Sequence, residues 1–298
     1  MNNLVLKSLR YFGFAKLFRF LFQRNQVTIL LFHEMDVATA EETFNYLSKH
    51  YNIIDLNDYI EAHKNKDYSR IPPYALVITF DDGHKGNYDI LPVVKKYEIP
   101  ITIFLCASII DTHKKFWFRY EKIEKIKSEL KEKNNRERLA ILEKNGFTND
   151  KEFETRQALT KAEIEEMSPY INMQSHTCYH PILPKCSDDD AKEEIVKSKE
   201  ILESEYGFTI NTLAYPNGDY SDRDVELIKD AGYSCAITVD FGFNTLNSDI
   251  FRLKRVAGNN TKDIDEIVVK SSGLWAFLKF RNGKKQPYGY AKSIKDYP

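Results

Sequence analysis

Short apolar runs alternate along the chain with longer stretches in which apolar residues recur at helical spacing. The apolar runs predict strands at 27–33, 51–55, 75–80, 100–106, 170–175, 211–215, 234–239 and 250–256. Helices are predicted between them, for example over 40–50, 86–97, 160–168, 188–205 and 221–231. Strands that alternate with helices form βαβ units and a parallel sheet. About eight such strands favour a closed or partly closed barrel over an open sheet, and the pattern leaves both degrees of closure open.

One interval, about 111–158, interrupts this alternation. It is rich in Lys and Glu and begins with the aromatic cluster Lys115-Phe116-Trp117-Phe118. We predict a helical insertion in one βα loop of a barrel spanning 26–267, because its apolar positions are too few for an independent core. The aromatic cluster either lines a sugar site or packs the insertion onto the barrel.

The first 25 residues are apolar but are interrupted by a basic residue every three to six positions. This spacing argues against a signal peptide and against a membrane-spanning helix. It predicts an amphipathic helix over 1–25, which either lies in a lipid headgroup region or packs on the protein's own body. A basic, aromatic C-terminal segment, 268–298, contains a second apolar stretch at 274–280 (LWAFLKF).

Charge is distributed unevenly along the chain. Residues 1–31 carry +5 and residues 268–298 carry +6, so the net charge of −1 leaves −12 on residues 32–267. An acidic body with two basic, aromatic ends fits a membrane surface better than a nucleic acid, and no nucleic-acid-binding motif is present. With no export signal in view, we expect a cytoplasmic or peripheral membrane location.

The four cysteines are scattered and form no CxxC pair, so we expect reduced thiols and no disulfide framework. Cys178 lies between two candidate metal-binding histidines. Because thiolate sites usually contain several cysteines, we interpret it as a small packing residue.

An acidic pair follows one predicted strand, in the sequence Thr79-Phe80-Asp81-Asp82-Gly83. Two adjacent carboxylates point in different directions, so one can bind a cation while its neighbour transfers protons. In α/β barrels the carboxyl ends of the strands are where active sites are built. The alternative is a simple Asp-Gly turn.

A pair of histidines follows another predicted strand, in Ser175-His176-Thr177-Cys178-Tyr179-His180-Pro181. Histidines four residues apart can bind one cation, and Pro181 places them on a loop or a single turn. No Glu follows His176, which excludes the HExxH pattern. One Asp with two His leaves positions open for water and substrate, and such a cation lowers the pKa of water to about 7. Asp81 is then a natural general base.

These motifs resemble a known family. TFDDG, HTCYH and the stretch 158–175 that precedes the second motif are similar to the polysaccharide deacetylases of the NodB-homology type, carbohydrate esterase family 4. The resemblance covers most of 27–257. It implies a distorted (β/α) barrel of seven to eight mainly parallel strands, with Asp81 as the base. It also implies that Asp82, His176 and His180 hold Zn²⁺ or another divalent transition metal.

The sequence departs from the family's third motif, Arg-x-Pro-Tyr. The matching stretch is Ala214-Tyr215-Pro216-Asn217-Gly218, which lacks the arginine that normally orients the base. Arg252 and Arg255 are the candidates to replace it. A backbone N–H near Asn217 can still stabilise an oxyanion, since that role needs no side chain.

A second departure is the absence of any histidine after His180. His33 is the candidate general acid, as in a permuted subgroup similar to poly-N-acetylglucosamine deacetylases. A histidine with an ordinary pKa could protonate a departing amine, although a purely structural role is the alternative. His84 is another option, but we expect it at the rim of the site.

The residues and the resemblance together predict a metal-dependent hydrolase that removes an N-acetyl group from an amino sugar in a polysaccharide or glycan. Trp117, Tyr215 and Arg255 are predicted to contact the sugar. Two alternatives stay open: a deformylase or deacetylase of a lipid-linked amino sugar at the membrane, and a non-catalytic carbohydrate-binding relic of the same fold.

Overall fold

The fold is a closed parallel barrel surrounded by helices, in a computed structural model that describes residues 3–258 and 261–280. Seven strands pair in the ring order β1-β8-β7-β6-β5-β4-β3 and back to β1, while β2 pairs with the first residues of β3. This confirms the predicted distorted (β/α) barrel. The strands are β1 (Thr28–Phe32), β2 (Asn52–Ile53), β3 (Ala75–Phe80), β4 (Ile101–Leu105), β5 (Ile171–Ser175), β6 (Thr212–Ala214), β7 (Cys235–Phe241) and β8 (Leu253–Ala257).

Twelve α-helices lie in the described part of the chain. They are α1 (Asn3–Tyr11), α2 (Phe14–Phe22), α3 (Val37–His50), α4 (Leu56–Asn65), α5 (Leu91–Tyr97), α6 (Lys127–Glu132), α7 (Asn135–Lys144), α8 (Lys161–Met167), α9 (Asp188–Tyr206), α10 (Asp222–Asp230), α11 (Ile264–Ser271) and α12 (Leu274–Phe280). Among these helices, none combines the length and the apolar character required to cross a bilayer.

Every residue of β1, β3 and β4 is buried, which is why these strands are nearly continuous apolar runs and do not alternate with polar residues. Parallel pairing then aligns their carboxyl ends. Phe32 at the end of β1 is in register with Phe80 at the end of β3, and the Asp81 N–H donates to the Phe32 carbonyl at 3.0 Å. His33 and Asp81, each the first residue after its strand, are therefore neighbours.

The insertion joins β4 to α8 and contains α6, α7 and two 3₁₀ turns, Trp117–Arg119 and Glu121–Ile123. It contributes six of the seven buried residues of a small apolar cluster, and Ile182 from the barrel completes that cluster. The apolar residues of the insertion therefore form a small cluster of their own, which a single barrel residue completes.

The N-terminal segment forms two short helices where the sequence predicted one. Gly13 separates them with φ of +79°, a left-handed conformation that is easy only for glycine. Leu6, Ala15 and Phe18 are buried beside Val268 and Val269 of α11 or against the ring of Phe277. Packing on the protein's own body is thus present on one face. Of the predicted C-terminal segment, residues 281–298 lie outside the described residues.

All four cysteines are buried and have free thiols. Burial raises the pKa of the Cys178 thiol to about 12, so this side chain stays protonated at neutral pH. It is not among the residues that converge on the candidate metal site described next.

Candidate active site

Three side chains converge at the carboxyl ends of β3 and β5. Asp82 Oδ1 lies 3.4 Å from His176 Nε2 and 3.4 Å from His180 Nε2. The three ligand atoms all lie within 4.8 Å of one another, and all three residues are buried. Asp82 and His176, which are 94 positions apart in the chain, are therefore in contact, because parallel strands bring the loops that follow them to the same end of the barrel.

The lone pairs of His176 and Asp82 favour a cation between these side chains. His176 Nδ1 lies 2.8 Å from the Ala214 carbonyl oxygen, which only accepts, so Nδ1 carries a proton and the neutral ring presents the Nε2 lone pair toward Asp82. Asp82 Oδ1, which is buried, has no hydrogen-bond partner in the described part of the chain. Lone pairs this close repel unless a positive charge lies between them. Two imidazole nitrogens and one carboxylate oxygen are the donors that a catalytic Zn²⁺-like ion takes.

His84 holds the other oxygen of the same carboxylate. Its Nε2 lies 2.9 Å from Asp82 Oδ2, and its ring packs edge-on against Phe116. The side chain is fully buried, so the expectation of a rim residue was wrong. The residue after a DDG turn enters the interior here because the backbone turns at Asp82 and Gly83, both with positive φ.

Strained backbone is concentrated around the site. Asp82, Thr177, His180 and Asn217 all adopt the left-handed region, with φ of 75°, 65°, 56° and 58°. Each such conformation costs on the order of 1 kcal/mol or more in a non-glycine residue, and it persists only where the surroundings impose it. For His180 the restraint is a hydrogen bond from its backbone N–H to Thr177 Oγ1 at 3.2 Å.

Glu194 of α9 fixes the loop between the two histidines. One carboxylate oxygen, Oε2, accepts the backbone N–H groups of Cys178 and Tyr179 at 2.8 and 2.9 Å. Burial raises the pKa of Glu194 to about 7, against the opposing effect of these two N–H donors. Nothing in the sequence pattern of this surface helix distinguishes Glu194 from its many acidic neighbours, and we did not predict it.

Asp81 faces an arginine across the barrel interior. Arg255 on β8 donates to both carboxylate oxygens at 2.8 Å and, through Nε, to the Thr238 carbonyl at 2.6 Å. Burial raises the pKa of Asp81, but Arg255 and His176 outweigh that effect and hold it below its usual value. Of the two candidates to orient Asp81, Arg255 is therefore the one that contacts it. Arg252, the other candidate, pairs with Asp222 and Asp249.

His33 lies beside Asp81 on the wall of the cavity. Burial lowers its pKa, and the nearby carboxylates of Asp82 and Asp81 reverse only part of that shift. The expectation of an ordinary histidine pKa is therefore corrected: His33 is mainly neutral at neutral pH. Its backbone is fixed by Asn87, whose side-chain amide donates to the His33 carbonyl at 2.8 Å.

A cavity of about 230 Å³ opens over these groups. Its lining comprises Leu31, His33, Asp81, Asp82, Trp117, Phe118, Lys131, His176, His180, Asn217, Gly218, Val239 and Ala257. Trp117 does two things: it lines the cavity, and its indole N–H donates to the His180 carbonyl at 2.9 Å. Trp117 therefore packs the insertion onto the barrel and also lines the cavity.

Two residues predicted to contact the sugar lie behind the cavity wall. Tyr215 is buried, and its hydroxyl donates to the Phe251 carbonyl at 3.0 Å. Arg255 is equally buried under Asp81. Neither lines the cavity, so the structure does not bring them to the sugar as we expected. A turn after β6 and a strand that faces the barrel interior both point these side chains inward.

The cavity is also lined by Lys131, a residue that the sequence analysis did not single out. Lys131 reaches from α6 of the insertion, and its ammonium donates to Asn217 Oδ1 at 2.6 Å. Burial lowers the pKa of Lys131, although Asp219 opposes the shift. In a segment so rich in lysine, no sequence signal marks this one.

A family profile described as polysaccharide deacetylase matches residues 70–236. The chain belongs to the polysaccharide deacetylase family. The match contains the Asp81-Asp82 pair and both loop histidines, whereas His33 and Arg255 lie outside it. His33 follows β1 and Arg255 lies on β8, and these two strands reach the site because β1 pairs with β3 and β8 pairs with β1.

Two relatives are identical to this chain at about a quarter of the aligned positions. It is 24% identical over 184 residues to YxkH of Bacillus subtilis, covering 61% of this chain and 50% of YxkH. It is 26% identical over 221 residues to the poly-beta-1,6-N-acetyl-D-glucosamine N-deacetylase of Staphylococcus epidermidis, covering 70% of this chain and 63% of that protein. The chain thus spans half to under two thirds of these relatives. The structure of IcaB from Ammonifex degensii has the same fold, with a TM-score of 0.61 at 17% identity, over 84% of this chain and 98% of IcaB.

Proposed function

We propose that this chain is a metal-dependent hydrolase that removes N-acetyl groups from amino sugars of a polysaccharide. The observation that carries the proposal is the convergence of Asp82, His176 and His180, with a buried and unsatisfied carboxylate oxygen at its centre. The substrate class is supported by the relative from Staphylococcus epidermidis, which is named for poly-β-1,6-N-acetylglucosamine.

The three donors would hold Zn²⁺ or another divalent transition metal. Such an ion, when bound, supplies hydroxide near neutral pH and polarises the acyl carbonyl. His84 and the Ala214 carbonyl keep the Asp82 carboxylate and the His176 ring in the orientation that ligation needs.

Asp81 is the proposed general base. It lies beside the metal-binding group, and its carboxylate stays ionised because Arg255 pairs with both oxygens. Arg255 therefore acts through Asp81 as a positioning residue. This role replaces the direct sugar contact that we had predicted for it.

His33 is the proposed proton donor to the departing nitrogen. Since it is mainly neutral before reaction, it must first receive a proton. The proton that Asp81 removes from the attacking water is weakly held there, because the pKa of Asp81 is low, and it can pass to the neighbouring His33. His33 then gives it to the amide nitrogen as the C–N bond breaks, which releases acetate and a free amine.

Asn217 and Trp117 complete the proposed site. Asn217 lines the cavity and has a left-handed backbone, and its N–H is the proposed donor to the oxyanion. Trp117 offers an aromatic surface for a sugar ring.

The decisive experiment measures metal content and amine release together. Protein loaded with Zn²⁺ is incubated with N-acetylated β-1,6-glucosamine oligosaccharides, and free amines are quantified. We expect about one metal ion per chain and steady amine release, with both lost in His176→Ala and retained in the control His50→Ala, whose ring is exposed. Bound metal without amine release would favour a non-catalytic relic, and amine release without metal would refute metal dependence.

A further inference from the structure

The two N-terminal helices leave one face uncovered. Of the thirteen exposed large apolar side chains in the described part of the chain, nine lie between residues 4 and 22. We define the docking face as these nine together with the nearby Phe277 of α12: Leu4, Val5, Tyr11, Phe12, Phe14, Leu17, Phe20, Leu21, Phe22 and Phe277. Phe12, at the bend between the helices, is 78% exposed.

The docking face is held firmly to the body. Gln23 at the end of α2 is fully buried, and its amide donates to Thr28 Oγ1 and to the Ser271 carbonyl, both at 2.9 Å. Arg10 pairs with Asp265, and Arg19 lies over the rings of Tyr51 and Tyr74. The exposed apolar side chains are therefore presented by a fixed platform.

Every charged residue of the segment that forms α1 and α2 is basic, and Asp265 of α11, the acidic partner of this segment named above, is already paired with Arg10. No acidic residue occurs before Glu34, and the side chains of Lys7, Lys16 and Arg24 are exposed. Aromatic and apolar groups flanked by lysine and arginine are the composition of helices that lie in the headgroup region of a bilayer. Anionic headgroups attract each such cation by about 1 kcal/mol.

A second copy of the chain fits this surface poorly. A symmetric dimer places the same patch of both copies face to face, so the exposed cations would oppose one another. We propose that the docking face binds an anionic lipid surface. The sequence left two interpretations of this segment open, and the structure separates them by face: one side packs on the protein and the other is available to lipid.

The position of the docking face also orients the active site. Arg19 contacts Tyr51 and Tyr74, which precede β2 and β3, and Gln23 bonds to the first residue of β1. The end of α2 is therefore at the amino end of the barrel, whereas the cavity lies at the carboxyl end. A strand of five residues spans about 17 Å. Docked protein therefore holds its cavity away from the bilayer. If the proposed function is correct, this orientation favours a glycan chain as substrate over an amino sugar that is linked to a lipid of the same membrane.

The test is flotation of the full chain with vesicles of phosphatidylcholine, alone or with phosphatidylglycerol. We expect flotation with the anionic vesicles that weakens as salt rises. Replacing Lys7, Lys16 and Arg24 by Gln should reduce partition on the order of a hundredfold. Replacing Phe12, Leu17 and Leu21 by Gln should reduce it at least tenfold on both lipids. A control with Tyr68→Gln and Tyr170→Gln, exposed elsewhere, should float like the original protein.

Two results would overturn the proposal. If the chain stays with the soluble fraction and sediments as a concentration-dependent dimer that the apolar variant abolishes, the docking face is a contact between copies. If it neither floats nor associates, lipid is not the occupant. The readout needs no activity, so failure of the deacetylase proposal would leave it unaffected. Thermal unfolding of each variant checks that folding is retained.

Discussion

Arg255 reaches from β8 past β1 to Asp81 at the end of β3, and its two terminal nitrogens lie 2.8 Å from the two carboxylate oxygens. A third bond, from Nε to the Thr238 carbonyl, fixes the guanidinium plane. The stretch Ala214–Gly218 contains no arginine, and the guanidinium that binds Asp81 comes from β8, which is far from β3 along the chain. The two bonds restrain the orientation of the buried Asp81 carboxylate and keep it ionised at the wall of the cavity.

Arg255→Lys should separate the charge of this residue from its geometry. A lysine keeps the positive charge but cannot form the paired bonds, so Asp81 gains freedom to rotate. We expect kcat to fall about a hundredfold with little change in KM, and the acidic limb of the pH profile to move to higher pH because the pKa of Asp81 rises toward its usual value. Steady-state kinetics between pH 5 and 9 measure both effects. The control is Arg252→Lys, which alters only the exposed pairs with Asp222 and Asp249. A rise in KM with unchanged kcat would indicate that Arg255 contacts substrate.

Asp81→Asn should strongly reduce turnover while metal stays bound. The proposed roles of the two aspartates differ: Asp82 points toward both histidines, and Asp81 toward Arg255. We expect activity to fall by 10²–10⁴, the range typical of a general base. Metal content by mass spectrometry should match that of the unmodified protein, and loss of metal would show that the roles are assigned to the wrong residues. Because the variant leaves a buried guanidinium without its partner, stability should also fall, by about 3–5 kcal/mol in urea unfolding.

The sequence was most informative about single strands and the residues that directly follow them. The eight strand positions and the Asp and His motifs follow from apolar runs and from the residues directly after them, because a strand buried on both faces needs such a run. Side-chain contacts between elements that are distant in the chain could not be predicted from the sequence. Arg255 was one of two candidates until β8 closed the ring, and Lys131 reaches the cavity only because of how the insertion folds back. The inward turn of His84 depends on the positive φ of Asp82 and Gly83, and the aspartate at this position does not by itself indicate such a conformation.

His84→Ala should weaken metal binding without removing any ligand. The His84 ring fixes Asp82 through Oδ2, so its loss lets the carboxylate rotate away from the histidines. Removal of such a supporting hydrogen bond typically costs 10–100-fold in metal affinity. Competition with a zinc chelator measures this value. His84→Gln, which keeps an N–H donor, should recover part of the affinity, and the exposed control His50→Ala should leave it unchanged. Equal affinities in all three variants would contradict the role of His84.

Glu194→Gln should change how stability depends on pH. Burial raises the pKa of this carboxyl from 4.5 to about 7, so the folded protein binds its proton more tightly than the unfolded chain does. Stability that depends on this group is therefore greatest below pH 4.5 and is lost as the pH rises toward 7. At about 1.4 kcal/mol per pKa unit, the loss amounts to about 3 kcal/mol. A glutamine oxygen can still accept both N–H groups, since both converge on one oxygen, and it does not ionise. We expect urea unfolding of the metal-free protein to show a smaller decrease between pH 4.5 and 8 for Glu194→Gln. The exposed neighbour Glu193→Gln should keep the full decrease, and identical pH curves for all three proteins would show that Glu194 is ionised at low cost.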